Sequence, residues 1–530
     1  MRLVPFLLSV VLLLGPRSGW GCQLPATDQT TCWNSSGSVI PCAGTGEDGD
    51  LRKGAPLAYV DNGDGTVTDV NTGLMWEKLS HDGTVHDDHN MYTRQNAFGH
   101  VATLNRMSFA GHADWRMPNV RELLSIVTYQ KILPTVSPAF DDNCSSGCHV
   151  TTCSCTFPED TWTSTSEADS PSNMWFVDFQ DAQVGAGLEN GIGPVRAVRD
   201  SSGGCPLPAT GQTTCWNSSG SVIPCAGTGE DGELRKGAPL AYFDNGDGTV
   251  TDLNTWLVWE KLSDDGTVHD KDSLYTWANA FAGHVATLNA TSFAGHNDWR
   301  LPNVRELQSI ADYQSFNPAV SSAFNNNCAP GCHATTCSCT ASSDYWSSTS
   351  SISDPSSAWY VGFLYGAVDA FGMSGGKSGT ASVRAVRNAS ASRSSTTTTT
   401  LPRADCDRET VAPTFASIDC RLAALIGRIR SSTDIRRQQG PLADQLIRAQ
   451  RRMEGGESLC SSSAAKYARR HLTQAIRKMI QYGQRLGSKP ARRSMPSELR
   501  TELMAAGDAI ETDLRSLRGK LRCPDDALGA

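Results

Sequence analysis

The chain is expected to be α+β over its first three-quarters, built as two tandem copies of one unit, and all-α thereafter. Three observations predict this. A unit running from Cys22 to Asp200 is repeated from Cys205 to Arg387. Each copy mixes helical apolar spacing with short, glycine-punctuated strands, the pattern of an α+β domain. Beyond residue 405 the apolar residues recur only at i, i+3 and i+4, the spacing of helices facing a core.

The repeat is long. Equivalent residues lie 183 apart at Cys32 and Cys215, 184 at Trp115 and Trp299, and 188 at Arg199 and Arg387. Such a period means tandem domains and not a solenoid, and the copies read as two independently folded modules. Between Cys32–Tyr59 and Cys215–Tyr242 only Asp50/Glu233 differs. Agreement between copies this similar therefore says little about which residues matter. The expected organisation is a signal peptide over 1–21, repeats over 22–200 and 205–387, a linker over 388–405 and a helical domain over 406–523.

Arg2, the apolar run Leu3 to Leu14, and Gly19-Trp-Gly21 read as a secretory signal cleaved near Gly21. The run is too short to span a bilayer once translocated, and no transmembrane helix is expected further on. A lipobox at Cys22 is the alternative, with Gly19 where such signals usually carry Leu. Export fits the 18 cysteines, which in an oxidising compartment form disulfides. They fall into groups of seven, seven and four. Net charge is −9, yet the residues from Leu401 onward carry 24 Lys and Arg against 15 Asp and Glu, leaving 22 against 40 in the body. The basic tail, with paired arginines at 451–452, 469–470 and 492–493, offers a grip for an anionic polymer but reads first as solvated helix faces or a surface for docking on the acidic repeats; no nucleic-acid partner is expected.

Each copy opens on a loop, Cys32-Trp-Asn-Ser-Ser-Gly-Ser-Val-Ile-Pro-Cys42 and its repeat Cys215–Cys225, read as a small hairpin closed by its own cysteines. Two strands follow around Asp61-Asn-Gly-Asp-Gly65. A helix over Tyr92–Asn105 places Ala97, Val101 and Leu104 on one face. Next comes the stretch on which each copy turns, Ala110-Gly-His-Ala-Asp-Trp-Arg-Met-Pro-Asn-Val-Arg-Glu-Leu123, repeated as Ala294–Leu307. Its proline disfavours helix at the preceding residue, while Asn119 or Asn303 caps a new helix with Glu122 or Glu306 completing a capping box. Trp115 and Trp299 are expected as apolar anchors, with Asp298 and Arg300 satisfying the backbone of the turn. Cysteines 144, 148, 153 and 155 (328, 332, 337 and 339 in the repeat) precede three strand-like segments, the last being Val195-Arg-Ala-Val-Arg199 or Val383-Arg-Ala-Val-Arg387.

Asn388 to Pro402, with five consecutive threonines, is a low-complexity linker unable to build a core. Four amphipathic helices follow, marked by Ile418–Ile429, Leu442–Met453, Ala468–Met479 and Leu499–Leu521. Short connections favour an up-down four-helix bundle. Cys420 and Cys460 then fall at one end and can bridge, leaving Cys406 and Cys523 to tie the termini.

The combination Asp-Asn-Gly-Asp-Gly-Thr-Val-Thr-Asp, Leu-(Met/Val)-Trp, Asp-Trp-Arg-(Leu/Met)-Pro-Asn-Val-Arg-Glu-Leu, Trp-(Ser/Thr)-Ser-Thr-Ser and Val-Arg-Ala-Val-Arg resembles the C-terminal domain family of Legionella-type collagen-like adhesins, in two tandem copies. The order of elements also resembles the C-type lectin-like fold, which formylglycine-generating enzymes share. The resemblance implies an extracellular surface-binding module, and adhesin members bind sulfated glycosaminoglycans. This chain lacks a collagen-like Gly-X-Y region, and its acidic repeats repel a polyanion. What is implied narrows to a ligand-binding or adhesion protein with a glycan or other surface ligand. A structural envelope role is the alternative, with an enzyme third.

Candidate chemistry is sparse. Cys328, Cys332, His333, Cys337 and Cys339, echoed at 144–155, suit disulfides first, then zinc or a stretched haem-attachment motif. The Asp244–Asp252 loop offers oxygens for calcium but reads first as a glycine-permitted hairpin; no other cofactor is expected. Nucleophile-elbow, zinc-protease and P-loop motifs are missing, and so are the paired cysteines of a formylglycine-generating enzyme, so no catalytic residue is assigned. The histidines His81, His86, His100, His112 and His149 look scattered, with surface or capping roles. Trp256, Trp359, Tyr360 and Tyr365 are the candidate ligand-binding residues, because aromatic faces stack on sugars. Trp256 stands where the first copy has Gly73.

Overall fold

The computed structural model describes residues 22–389 except 189, 190, 202 and 373, scattered positions between 415 and 453, and 465–521. The expected signal peptide, the linker from residue 390 on and Cys406, Cys420, Cys460 and Cys523 lie outside the described residues, while Asn388, expected in the linker, ends the closing strand. Two compact units are present, Gly21–Ala391 and Ser392–Ala530.

In the larger unit each copy builds a hairpin sheet. In the first copy Tyr59–Asp61, Thr66–Asp69 and Leu74–Glu77 pair antiparallel in that order, and the closing strand Val198–Asp200 adds at the far edge. The second copy repeats this with Tyr242–Asp244, Thr249–Asp252, Leu257–Glu260 and Val386–Asn388. The remaining long strands of both copies join one six-stranded sheet. Its order is Asp344–Ser350, Ala358–Gly362, Ala367–Asp369, then Val184–Leu188, Asn173–Asp178 and Asp160–Ser166. The seam is the antiparallel pair Val368 and Val184, both buried.

One hydrophobic core holds residues of both copies, from Val67 and Trp76 to Trp359 and Val386. The two copies are therefore not independent modules but halves of a single body. Aromatic pairs cross between them reciprocally: Tyr129 packs edge-on against Trp359 at 5.1 Å, and Tyr313 against Trp175 at 5.2 Å. The opening segments are exchanged as well. Gln29 Nε2 donates to Ser350 O at 2.7 Å and Ser350 N donates back to Gln29 Oε1 at 2.9 Å, while Gln212 and Ser166 make the mirror pair at 2.8 and 3.0 Å. The disulfide Cys22–Cys205 links the two segments, and uses the thiol that a lipobox would acylate. The result is an isologous interface of the kind found in two-fold dimers, here within one chain.

The corner motif explains why the halves meet this way. Asn119 and Asn303 cap their helices with both bonds of the capping box present. Trp115 N and Trp299 N donate to Asn105 Oδ1 and Asn289 Oδ1 at 2.7 and 2.8 Å, anchoring the turn to the long helix before it. Asp298 and Arg300 serve the turn's backbone only in part, through the Asp298 carboxylate on its own amide and a 3.4 Å bond from Arg300 to Leu301 O. Asp298 pairs with Arg387 of the closing strand at 2.6 Å, and Arg300 forms a fork with Glu306 at 2.6 and 2.7 Å. The motif's last arginine reaches into the other half. Arg305 donates to Ser125 O at 3.1 Å and to Val127 O; Arg121 donates to Ala209 O at 2.7 Å and to Ala311 O.

The change of period from 183 to 184 has a visible cause. The first copy's helix Arg94–Met107 is regular, whereas the second inserts a π-turn, Ala280–Val285, between Trp277–Asn279 and Ala286–Ala290. A π-turn absorbs one extra residue without displacing the helix beyond it. His284 thus meets Glu260 at 2.8 Å as His100 meets Glu77 at 3.1 Å.

The smaller unit is helical, with Ala465–Leu486, Lys489–Ser494 and Ser497–Lys520. The two long helices run antiparallel: Arg469, near the start of one, donates to Leu521 O beyond the end of the other at 2.8 Å. Gly507 lies where an added Cβ would stand 2.7 Å from the Tyr482 ring, which is why glycine is needed at this crossing. The expected apolar stripes from Ile418, Leu442 and Ala468 onward, together with Leu503, Ile510 and Leu514, are buried in one core. Among the described residues no helix is long and apolar enough to cross a membrane.

Candidate functional site

The four aromatic candidates separate. Trp359 and Tyr360 are 2% and 6% exposed and belong to the core. Trp359 is the ring under Tyr129 at the junction of the halves, and Tyr360 packs against Trp346 with its hydroxyl on Asp369 at 3.1 Å. Neither offers a face for stacking: period-two aromatic runs filled the core here. Trp256 and Tyr365 are 44% and 37% exposed. Trp256 sits in the left-handed region at φ +59°, in a turn where the first copy has Gly73 at φ +72°. A Cβ on Gly73 would stand 2.7 Å from Gly204 N of the segment joining the repeats, so the first copy needs glycine. The second copy places a large ring there in a conformation that costs about 1–2 kcal/mol for an L-residue.

Every cysteine among the described residues is in a disulfide. Cys32–Cys42 and Cys215–Cys225 close the hairpin loops as expected. Cys144–Cys155 and Cys148–Cys153, with Cys328–Cys339 and Cys332–Cys337, form a double clasp in each copy. Their sulfurs are committed to S–S bonds, as the disulfide expectation had it. The Asp-Asn-Gly-Asp-Gly loop is likewise satisfied from within: Asp244 Oδ2 pairs with Lys261 at 2.8 Å, and Asp244 Oδ1 accepts from Gly246 N at 2.9 Å.

The histidines are not scattered. His86 Nδ1 and His100 Nε2 meet the two oxygens of buried Glu77 at 2.7 and 3.1 Å, and Ala197 N donates to the same carboxylate at 3.0 Å. Burial alone would raise this carboxyl; the His100 and His86 imidazoles outweigh it and hold Glu77 down at about 2. The same pairing raises His100 despite its burial. This knot is repeated at Glu260 with His269 and His284 and ties the hairpin sheet to the long helix. Its burial and repetition mark it as structural.

The second cluster is open to solvent and lies on the loop Leu79–Asn90, held against the double clasp. His81 N donates to Cys148 O at 3.1 Å and Gly147 N donates to His81 O at 2.6 Å. His81 Nδ1 and His89 Nδ1 both approach Asp88 Oδ1, at 2.9 and 2.8 Å, and Asp87 Oδ1 stands 3.9 Å from His89 Nδ1. The four ligand-type atoms lie within 4.8 Å of one another. The Asp88 side chain is 5% exposed and that of His89 48%, so the group has a fixed floor and an open mouth. Sequence reasoning passes over His89 and Asp88; the run His86-Asp-Asp-His89 is the signal that could have found them. In the second copy Asp264, Asp270, Lys271 and Asp272 stand at the equivalent positions.

Comparison with known proteins adds one match. The family model of the Lcl C-terminal domain matches residues 65–199 and 248–387, more than half the chain, with one region inside each copy and the opening segments 22–64 and 205–247 outside the match. No curated protein matches this chain. No solved structure matches it either.

Proposed function

Because the chain belongs to the Lcl C-terminal domain family, we propose that it is an exported, non-enzymatic surface protein for adhesion or ligand capture, with a glycan as the ligand class to test first. Seven disulfides are compatible with export. The lectin-like character of the repeats and an up-down four-helix count for the C-terminal unit belong to the same reading. So does the absence of catalysis: the Glu77 and Glu260 carboxylates, each held by two imidazoles, are buried and satisfied.

The observation that carries this reading, beyond membership, is Trp256. A half-exposed indole held in left-handed backbone, where glycine serves in the sister copy, is strain of the kind that accumulates at functional positions. An indole face stacks on a sugar ring with its apolar side while the rim stays hydrated. Calcium dependence is part of the test and not of the claim, since the loop that suggested it is closed by Lys78 and Lys261.

A glycan array probed with the purified chain, with and without calcium, tests the proposal. Binding that Trp256→Gly abolishes supports it. A blank array at high protein concentration favours the structural envelope role instead. Turnover of any substrate, lost on changing one surface residue, would overturn the non-enzymatic reading.

A further inference from the structure

We propose that His81, Asp87, Asp88 and His89 form a binding site for a divalent transition metal, zinc being the best match, present in the first copy and replaced by an internal ammonium in the second. Two observations carry this independently: the convergence of the ligands, and what the second copy does with the same place.

Two imidazole nitrogens turned toward one carboxylate oxygen, with a second carboxylate on the open side, are a donor set for a borderline-soft cation. Tetrahedral zinc, with bonds of about 2.0–2.1 Å, sets its ligand atoms roughly 3.4 Å apart. The contacts of 2.8, 2.9 and 3.9 Å in this group bracket that separation. The two carboxylates carry the charge that a divalent ion neutralises. Calcium and magnesium, which prefer oxygen ligands, are poorly served by two nitrogens.

The second copy supplies the comparison. From Ser80 to Asn90 and from Ser263 to Ser273 the loops differ only at His81/Asp264, Asp88/Lys271, His89/Asp272 and Asn90/Ser273. Asp264, Asp270 and Asp272 again converge within 4.8 Å. Among them lies a cation belonging to the chain itself: Lys271 Nζ is 2.6 Å from Asp272 Oδ2 and 3.4 Å from Asp264 Oδ1. The pocket thus accommodates a positive charge in this fold. In the first copy the lysine is gone, a carboxylate stands in its place, and two oxygens have become nitrogens. Each of these changes moves the pocket from holding an ammonium toward ligating a metal. The surrounding frame is the same in both copies: Asp88 N and Lys271 N donate to Ser80 O and Ser263 O at 2.9 and 3.0 Å, and the clasp disulfides pin each loop from behind.

The test uses the full chain, stripped with a chelator and titrated with Co²⁺, a spectroscopic substitute for zinc. The expected result is visible absorption of tetrahedral intensity at one equivalent, displaced by Zn²⁺ and not by Ca²⁺ or Mg²⁺. The variant His81→Asp/Asp88→Lys/His89→Asp writes the second copy's residues into the first, and it should take up one equivalent less at unchanged circular dichroism. His81→Asn/His89→Asn gives the same reading should the triple variant fail to fold. Uptake unaltered by these changes, or none by the parent chain, overturns the proposal. None of these outcomes depends on whether the protein binds a glycan.

Discussion

Replacing Arg305 by Met tests whether the two halves fold as one body. Methionine keeps most of the aliphatic volume and removes the donors. Arg305 is buried, has no carboxylate within salt-bridge distance among the described residues, and spends its guanidinium on Ser125 O and Val127 O of the other half, with the Tyr129 ring 5.9 Å away. A hydrogen bond from a charged group contributes about 1.5–3 kcal/mol net, so losing two costs about 3–6 kcal/mol. Two orphaned carbonyls at a dry interface are what make the loss large, and they outweigh relief from burying a charge already accommodated in the parent protein. The measurement is guanidinium chloride unfolding followed by tryptophan fluorescence with the disulfides intact. The parent should show a single transition for residues 22–389, and Arg305→Met should shift it to lower denaturant with little change in slope. Arg121→Met, the mirror substitution, should do the same. A loss below about 1 kcal/mol for both, well under the hydrogen-bond range, or two separate transitions in the parent, would refute the single-body account.

Three further outcomes are expected. Burial pushes the Asp48 and Asp231 carboxyls, each accepting from one threonine hydroxyl of its own copy and one across the interface, up to about 6. A raised folded-state value gives stability that is full below the ordinary aspartate range and lost as pH rises through about 6. The gap is equivalent to about 3 kcal/mol per carboxyl. Glu77 and Glu260, held at about 2, act oppositely: their contribution is full above the ordinary glutamate value and is lost progressively as pH falls from there to about 2. Stability should therefore climb from about pH 7 to about pH 4 and collapse near pH 2, and Asp48→Asn/Asp231→Asn should flatten the climb; a maximum at neutral pH would contradict this. Removing Cys22–Cys205, which closes 183 residues, should cost about 5 kcal/mol on the chain-entropy account, against about 2 kcal/mol for the five-residue Cys148–Cys153 closure; calorimetry of the paired serine variants checks the order. Trp256→Gly should remove ligand binding while leaving the thermal midpoint within a few degrees, because relief of left-handed strain offsets the packing lost by a half-exposed ring; a large drop would make Trp256 a structural residue.

Local signals were readable in the sequence because they act over a few residues. The capping box at Asn119, the hairpin around Asn62-Gly63 and the apolar stripes of the C-terminal helices each depend on neighbours within one or two turns. Long-range pairing was not. Nothing near Arg305 reveals that its partner carbonyls lie some 180 residues away, and repetition of the motif hid this further, since each copy looked sufficient in itself. The aromatic candidates divided on the same ground. A tryptophan in an alternating strand reads alike whether its face meets solvent or, as for Trp359, the tyrosine of a sister copy. Glu77 was missed because the residues that explain it, His86 and His100, sit on a loop and a helix that converge only in three dimensions.

The interface also changes how the duplication is to be used. While the copies are treated as separate modules, their near-identity is uninformative. Once they form an isologous pair, each half is the control for the other, because the interface demands the same contacts twice. The reciprocal bonds of Arg121 and Arg305, of Gln29 and Gln212, and of Asp48 with Thr349 and Asp231 with Thr165 satisfy that demand. Substitutions that keep a contact by other means arise from it as well: the inserted residue swallowed by the π-turn Ala280–Val285 leaves His284 on Glu260. What remains are differences that the shared frame does not require. Gly73 against Trp256 is among them, and so are His81, Asp88 and His89 against Asp264, Lys271 and Asp272. They lie on exposed turns and loops, away from the seam, where an altered side chain leaves the partner half undisturbed. A pseudo-symmetric body of this kind is free to specialise one face of each half while the interface stays constant, and those two asymmetries are where binding chemistry is to be sought.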